Sequence, residues 1–305
     1  MAIWPPLRYE DWQATRDTLH AHTQVLGKLA AKLAPPQPQL QHSALRLTAR
    51  GWETAPLPAP DGSGSFGVAL DLHRHEVVVE HVDGLTHFVP LTPNRSVRDV
   101  TRDTLAAVAD VAGAVEINPT PQETEWKTPL DEDTERSAYE PAQVAEYFLA
   151  ASRAADVLAT LRAPYRGRST PVNAWWGSFD LAVTLFSGRS ADPPSGDFIG
   201  RNAMDAQEIA VGWWPGDTRY PRAAFYAYAH PAPPGFSELR LEPARARWDA
   251  DLGEFVLDWQ DVIVNDDPFA AALAFARSAA RAACTACDWD PGLAASLESR
   301  PPPVN

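Results

Sequence analysis

Two carboxylates in the second half of the chain stand among small and aromatic residues, where a carboxyl group is best placed for acid–base chemistry. Asp180 lies in the run Trp175–Phe186, and Glu208 opens the run Glu208–Trp214. Both runs read as strands, as does Ala223–His230, because β-branched and aromatic residues dominate them between Gly- and Pro-bearing breaks. Side chains alternate across a strand. One face therefore carries Trp176, Ser178, Asp180, Ala182 and Thr184, opposite a core face of Trp175, Phe179, Leu181, Val183 and Leu185. In the next strands Glu208, Ala210, Gly212 and Trp214 share a face, and so do Tyr226, Tyr228 and His230.

A solvated sheet face usually carries Lys, Arg, Glu and Thr. This one carries small residues, which leave room, and Tyr and Trp, which offer apolar bodies with polar tips. Such a face is either covered by helices or wrapped around a ligand, and the residue types alone leave both readings open. In a pocket, a carboxylate walled by aromatics has a raised pKa and exchanges protons near neutrality. Asp180 and Glu208 are then the acid–base candidates. Arg189 or Lys28 would hold an anionic group, and Tyr226 or Tyr228 would orient a small organic substrate.

Other chemistry-bearing residues fit blander roles. His73, His75, His81 and His87 sit at strand ends and turns, with His87 expected opposite Glu80, and read as exposed histidines rather than metal ligands. Cys284-x-x-Cys287 lies in an Ala-rich helical stretch with no second pair, so helix packing is the reading. The Gly-rich stretch Asp61–Gly67 lacks the Lys and following helix of a phosphate-binding loop. Ser178 lacks the Gly-x-Ser-x-Gly context of a nucleophile elbow. Asp17, His20, Gln24 and Lys28 recur on one side of the first helix, away from its apolar stripe, and read as a polar, largely exposed face.

The elements that must position these residues follow from periodicity and breakers. Apolar spacing predicts a helix over Tyr9–Leu33, ended by Pro35, Pro36 and Pro38. Strands are expected at His42–Ala49, Phe66–Leu72, Val77–Val82 and Leu85–Leu91, with Asp83-Gly84 as a hairpin turn. A helix at Val97–Val111 and a short strand near Val115–Asn118 follow. Helices at Pro141–Leu161 and Pro268–Cys284 bracket the strands of the second half, whose last is Glu254–Trp259. The fold class is α+β: largely antiparallel sheets flanked by helices, in two helix–strands–helix blocks that would be pseudo-repeats. The unit is one domain-length chain, 1–305, with halves 1–118 and 140–298 joined by the acidic, Pro-bearing connection Pro119–Tyr139.

Composition narrows the partners. The 305 residues carry a formal net charge of −14, which repels phosphate backbones and anionic lipid heads. Nucleic acid and membrane are therefore not expected partners, and a small molecule is. No apolar run approaches the length of about 20 residues a membrane span requires. Two cysteines imply no disulfide framework, nothing resembles a signal peptide, and the cytoplasm is the expected location. No cofactor or metal is implied by the sequence, and the oligomeric state stays open.

Several motifs occur in an order that resembles one bacterial family. They are Trp4-Pro5, Thr18-Leu19-His20, Thr23-Gln24, Gly27-Lys28, Thr48-Ala49-Arg50-Gly51 and Arg95-Ser96-Val97, then Ser169-x-Pro171-Val172, Trp176 through Thr184 and Phe186-Ser187-Gly188-Arg189. Gly212-x-Trp214-Pro215-Gly216 and Ala224-Phe225-Tyr226-x-Tyr228 complete the set. The chain resembles the uncharacterised family "domain of unknown function 5996" over roughly Trp4 to Trp289. That resemblance implies no established activity. Its polar motif residues are His20, Gln24, Lys28, Arg50, Asp180 and Arg189. The chain departs from the family pattern at Asn173, where a His commonly precedes the Trp-Gly motif, and at Ala206-Gln207-Glu208 in place of a Ser-His-Glu-like stretch. Pro35–Gln41 lacks an Asn-His-Trp-Trp-like segment. Two functions follow: an enzyme acting on a small molecule, or a divergent, non-enzymatic module that binds a small molecule or a protein. The expected binding set is His20, Gln24, Lys28, Arg50, Asn173, Trp176, Ser178, Arg189, Trp214, Tyr226, Tyr228 and His230.

Overall fold

The computed structural model describes residues 3–298 and is α+β, with two six-stranded antiparallel sheets. The first half runs α1 (Tyr9–Leu33), β1 (Arg46–Leu47), β2 (Gly51–Glu53), β3 (Leu57–Pro58), β4 (Ser65–Asp71), β5 (Glu76–His81), β6 (Thr86–Pro90) and α2 (Val97–Ala112). The second runs α3 (Pro141–Arg162), β7 (Asn173–Trp175), β8 (Asp180–Ser190), α4 (Phe198–Ala203), β9 (Ala206–Trp214), β10 (Ala224–His230), β11 (Arg247–Asp249), β12 (Glu254–Asp258), α5 (Trp259–Ile263), α6 (Pro268–Ala286) and α7 (Pro291–Ser296). The first sheet is ordered β1-β2-β4-β5-β6, with β3 also on β4; the second is β11-β12-β10-β9-β8-β7. Paired hydrogen bonds between Leu45 and Ala174, of 3.0 and 2.9 Å, stitch the two sheets together beside β1 and β7.

Local chemistry explains the helix limits. Ser96 caps α2 by accepting from the Asp99 amide, and Asp267 caps α6 ahead of Pro268 at its first turn. Pro141 opens α3 where its missing N–H leaves nothing unpaired. One hydrophobic cluster takes residues from α1, α3, α6 and both sheets. Within the second sheet it occupies the face of Leu181, Val183, Leu185, Ile209, Val211, Trp213, Phe225, Phe255 and Leu257, all 2% exposed or less. The opposite face is free of that cluster, and the site is built on it.

Four expectations are corrected. Trp175–Phe186 is not one strand: β7 ends at Trp175, Trp176–Phe179 forms a turn, and β8 starts at Asp180. Phe179 has a left-handed φ of 60°, which breaks the extended chain and swings the strand back on itself. The region His42–Ala49 gives only the short β1, because Pro38–Ser43 coils with left-handed backbone at Gln39 and Leu40. Val115–Asn118 makes no strand, since no neighbouring strand pairs with it. Across the β5–β6 hairpin His87 faces Val79, not Glu80, because His81 N bonds Leu85 O and the loop is longer than two residues.

The polar side of α1 is also not exposed. His20 is 2%, Gln24 0% and Lys28 6% exposed, because the helix is covered on that side by the Trp176-Gly177 turn and the 119–123 connection. Gly27 allows this approach: a Cβ there would sit 2.0 Å from the Trp176 ring. A Gly→Ala change gains about 1 kcal/mol of helix propensity. Forcing a methyl into a packed aromatic costs roughly 1–3 kcal/mol, and a full overlap belongs at the top of that range. Gly27→Ala is therefore expected to destabilise the protein by about 1–2 kcal/mol, read as a lower midpoint in chemical denaturation. An unchanged or raised midpoint would show that the helix does not press on Trp176.

Candidate functional site

The free face of the second sheet floors a cavity of about 770 Å³, within the size range of small-molecule sites. The floor consists of Asp180, Ala182, Thr184 and Phe186 from β8, Glu208, Ala210 and Trp214 from β9, Tyr226 and Tyr228 from β10, and Glu254 from β12. The walls come from the Trp176–Ser178 turn, from Gln122 and Glu123 of the long connection, from Gln39–Ser43, and from the α4 residues Phe198, Ile199 and Ala203. Asp217, Arg219, Asp251 and Leu252 close the far rim.

Asp180 is held from two sides. The hydroxyls of Ser178 and Tyr226 both donate to its carboxylate. Tyr226 reaches it by lying across β9, and Gly212 is what lets it: a Cβ at that position would fall 2.3 Å from the Tyr226 ring. Burial pushes Asp180 up to about 6, against the pull of the two hydroxyl donors. Glu254 is half-buried, and burial together with the negative charge of Asp180 pushes it up to about 7. Glu123 is driven the same way by burial and by Asp180, tempered by its contact with solvent at the cavity mouth. Its backbone is left-handed, φ 55°, and its carboxylate lies against Gly177.

Glu208 stands apart. It faces Phe186 across β8–β9, and Phe186 lies six residues along β8 from Asp180, about 20 Å at roughly 3.3 Å per residue. Asp180 and Glu208 therefore do not form one acid–base pair on one bond. The carboxyl groups whose proton affinity the Asp180 charge raises are Glu123 and Glu254, neither of which stood out in the sequence. Glu208 is 4% exposed and, among the described residues, makes no hydrogen bond or ion pair. Burial, then the nearby Asp205, pushes it up to about 8, with Arg168 opposing. Tyr228 links the two ends. Burial holds its phenol protonated, reinforced by the charges of Glu208, Glu254, Asp180 and Glu123.

The other sequence candidates divide between support and remoteness. The His20 Nε2–H donates to the carbonyls of Trp176 (3.0 Å) and Gly177 (2.9 Å), and burial lowers its pKa to about 3, so the ring is neutral. Gln24 donates to Trp176 O and Gln122 O and accepts from the Gln122 amide at 3.0 Å. Lys28 donates to Thr120 O at 2.7 Å. These three residues position the turn and the connection that carries Glu123; they do not line the cavity. Asn173 is fully buried and spent on Arg46 and Gln41. Arg50 pairs loosely with Glu53 on the first sheet, and Arg189 reaches outward to Asp288 O, so neither can hold an anion in the cavity. His230 is beside Glu208 in register but bonds Asp192 O. Trp176, Ser178, Trp214, Tyr226 and Tyr228 do line it.

The family model described as "Family of unknown function (DUF5996)" matches residues 4–296 of the chain. The chain therefore belongs to that family. No curated protein and no solved structure matches it.

The cavity charges set a pH dependence. Glu208 has a folded pKa of about 8, above its unfolded value, so the folded state binds more protons between the two. The Glu208 contribution to stability is then fully present at low pH and is lost as pH rises through about 8. Glu208→Gln removes the buried charge and should raise stability at pH 8.5 by roughly 4 kcal/mol, with little effect at pH 5. Thermal melts of both proteins at the two pH values check this; a variant less stable at pH 8.5 would mean that Glu208 is paired.

Proposed function

We propose that this member of the DUF5996 family binds a small organic molecule in the sheet-floored cavity and moves a proton on it, with Asp180 as base and Glu254 as acid. The observation that carries this reading is Asp180 itself. It is a buried carboxylate held by two hydroxyl donors, with Glu123 and Glu254 close enough to feel its charge. Two carboxyl groups whose environments set different proton affinities divide into an acid and a base. Near pH 7 Asp180, at about 6, is mainly ionised, and Glu254, at about 7, still carries a proton about half the time. Ser178 bonds one Asp180 oxygen and Tyr226 the other, which fixes the carboxylate and leaves one lone pair on each oxygen to meet the substrate. Tyr228, whose hydroxyl has no partner among the described residues, orients it.

A non-enzymatic binding role is the second reading. Asn173 favours it, since the position offers no proton-transfer group and its amide is already spent on Arg46 and Gln41. In either case we place the protein in the bacterial cytoplasm. The Arg-rich, Lys-poor composition supports a bacterial source, and two free cysteines are compatible with a reducing compartment. No helix of the described residues is long and apolar enough to cross a membrane. The net charge of −14 argues against nucleic acid as a partner.

Incubating the protein with a bacterial metabolite extract and following depletion by mass spectrometry tests the enzymatic reading. The wild type should consume at least one compound that Asp180→Asn consumes at least about 100-fold more slowly. Equal rates in the two proteins would remove Asp180 from the chemistry. A compound retained unchanged by both, and released on denaturation, would favour binding without turnover.

A further inference from the structure

We propose that the occupant of the cavity is an aliphatic di- or polyamine, with one ammonium seated at Glu208 and another at the Asp180 end of the floor. This rests on the cavity being a small-molecule site and adds the class of molecule.

The charge balance of the cavity points to a cation. Of the other buried carboxylates, Asp71 is held by two backbone amides, and Asp258 and Asp133 are paired with cations. Asp258, on the same sheet face, receives the guanidinium groups of Arg222 and Arg247 at 3.3 and 3.2 Å as well as the Tyr220 hydroxyl. Asp133 receives Arg136 at 2.8 Å and two backbone amides. In the cavity this does not happen. Among the described lining residues Arg219 is the only Lys or Arg, and its guanidinium is engaged by Asp217 through Nε and Nη2. Asp180 has only hydroxyl partners, and Glu208 has none. An unpaired buried carboxylate is costly, and its proton or an incoming cation must neutralise it.

Glu208 makes the case independent of the acidic cluster at the other end. The residue is only 4% exposed, makes no hydrogen bond or ion pair among the described residues, and lines the cavity. A primary ammonium brings three N–H donors, which suits an acceptor-only group. Between the two acidic ends the floor is aromatic: Tyr226 and Tyr228 lie parallel, 6.3 Å apart at 5°, and Trp214 meets the edge of Tyr226. Methylenes pack on such faces, and ammonium groups are attracted to them. A metal ion is a poorer fit, since no group of three or more His, Cys, Asp and Glu among the described residues is gathered to hold one. A sugar would satisfy hydroxyl contacts but leave the charges standing.

The proton balance follows. Glu208, and in part Glu254, hold protons near neutrality in the free protein; an ammonium favours their ionised forms and expels those protons. Binding should therefore tighten as pH rises from 6 to 8, where the amine itself remains charged.

Isothermal titration of the full chain with diaminodecane, a linear tetra-amine, decylamine and decanediol tests this. The diamine should bind at least about tenfold tighter at pH 8 than at pH 6, and about 100-fold tighter than the diol. Glu208→Gln should weaken the diamine about tenfold or more while changing decylamine less than about threefold. Decylamine binding as tightly as the diamine overturns the two-ended arrangement. The diol matching the diamine, or no amine binding at all, overturns the amine class. The failure is separable from that of the site itself: metabolite depletion or retention does not depend on ligand charge, so a neutral compound captured there would leave the cavity as a binding site.

Discussion

The turn Trp176–Phe179 is the joint on which the site depends. Phe179, left-handed and fully buried, is the centre of a stack with His20 (4.9 Å), Trp52 (5.3 Å) and Tyr147 (5.2 Å). The His20 ring that stacks on Phe179 also binds the carbonyls of Trp176 and Gly177, and Trp176 donates its indole N–H to Ser43 O at 3.0 Å. A side chain cannot hold those carbonyls and that ring unless the chain reverses between them. The reversal then sets Ser178 and Asp180 on the cavity side. Gln24 and Lys28 extend the same clamp to the connection that delivers Glu123. A neutral His20 is required for this, and its burial keeps it neutral.

Above this rigid base the cavity stores electrostatic cost. The protein has the means to pair buried carboxylates, as Asp258 and Asp133 demonstrate, yet Asp180 and Glu208 face the cavity without a cation. Concentrating unpaired acids in one place lowers stability and gives a bound molecule something to relieve, which is a common signature of a functional site. The left-handed backbone at Glu123, Gln39 and Leu40, all bordering the same space, adds conformational cost in the same region.

Much of the scaffold was legible in the sequence, and the reasons are local. The first helix was expected at Tyr9–Leu33 and is found there, because its apolar spacing and proline stop are both close in sequence. The alternation of Glu208, Ala210, Gly212 and Trp214 placed that face correctly for the same reason. What was not legible depends on contacts between distant segments. Trp175–Phe186 looks continuous because nothing in its residue types announces a left-handed Phe179; the aromatic stack that holds it comes from α1, β2 and α3. The polar side of α1 looked solvated because its partners are backbone carbonyls more than 90 residues away. Glu123 lay hidden in an irregular connection and Glu254 at a strand end. The separation of Asp180 from Glu208 required the register of β8 on β9. A carboxylate followed by Gly- and aromatic-rich neighbouring strands was the available signal, and it pointed to Asp180, which lines the cavity.

The most direct test of the account is a site-resolved NMR titration of the side-chain carboxyl carbons in the free protein. Asp180, Glu254 and Glu208 are expected to titrate late, between about 6 and 8, and the Glu254 transition to move down when Asp180 is replaced by Asn. Carboxyl groups that all titrate near 4, with Glu254 indifferent to Asp180, would contradict it: the cavity would then be wet and its acids unstrained.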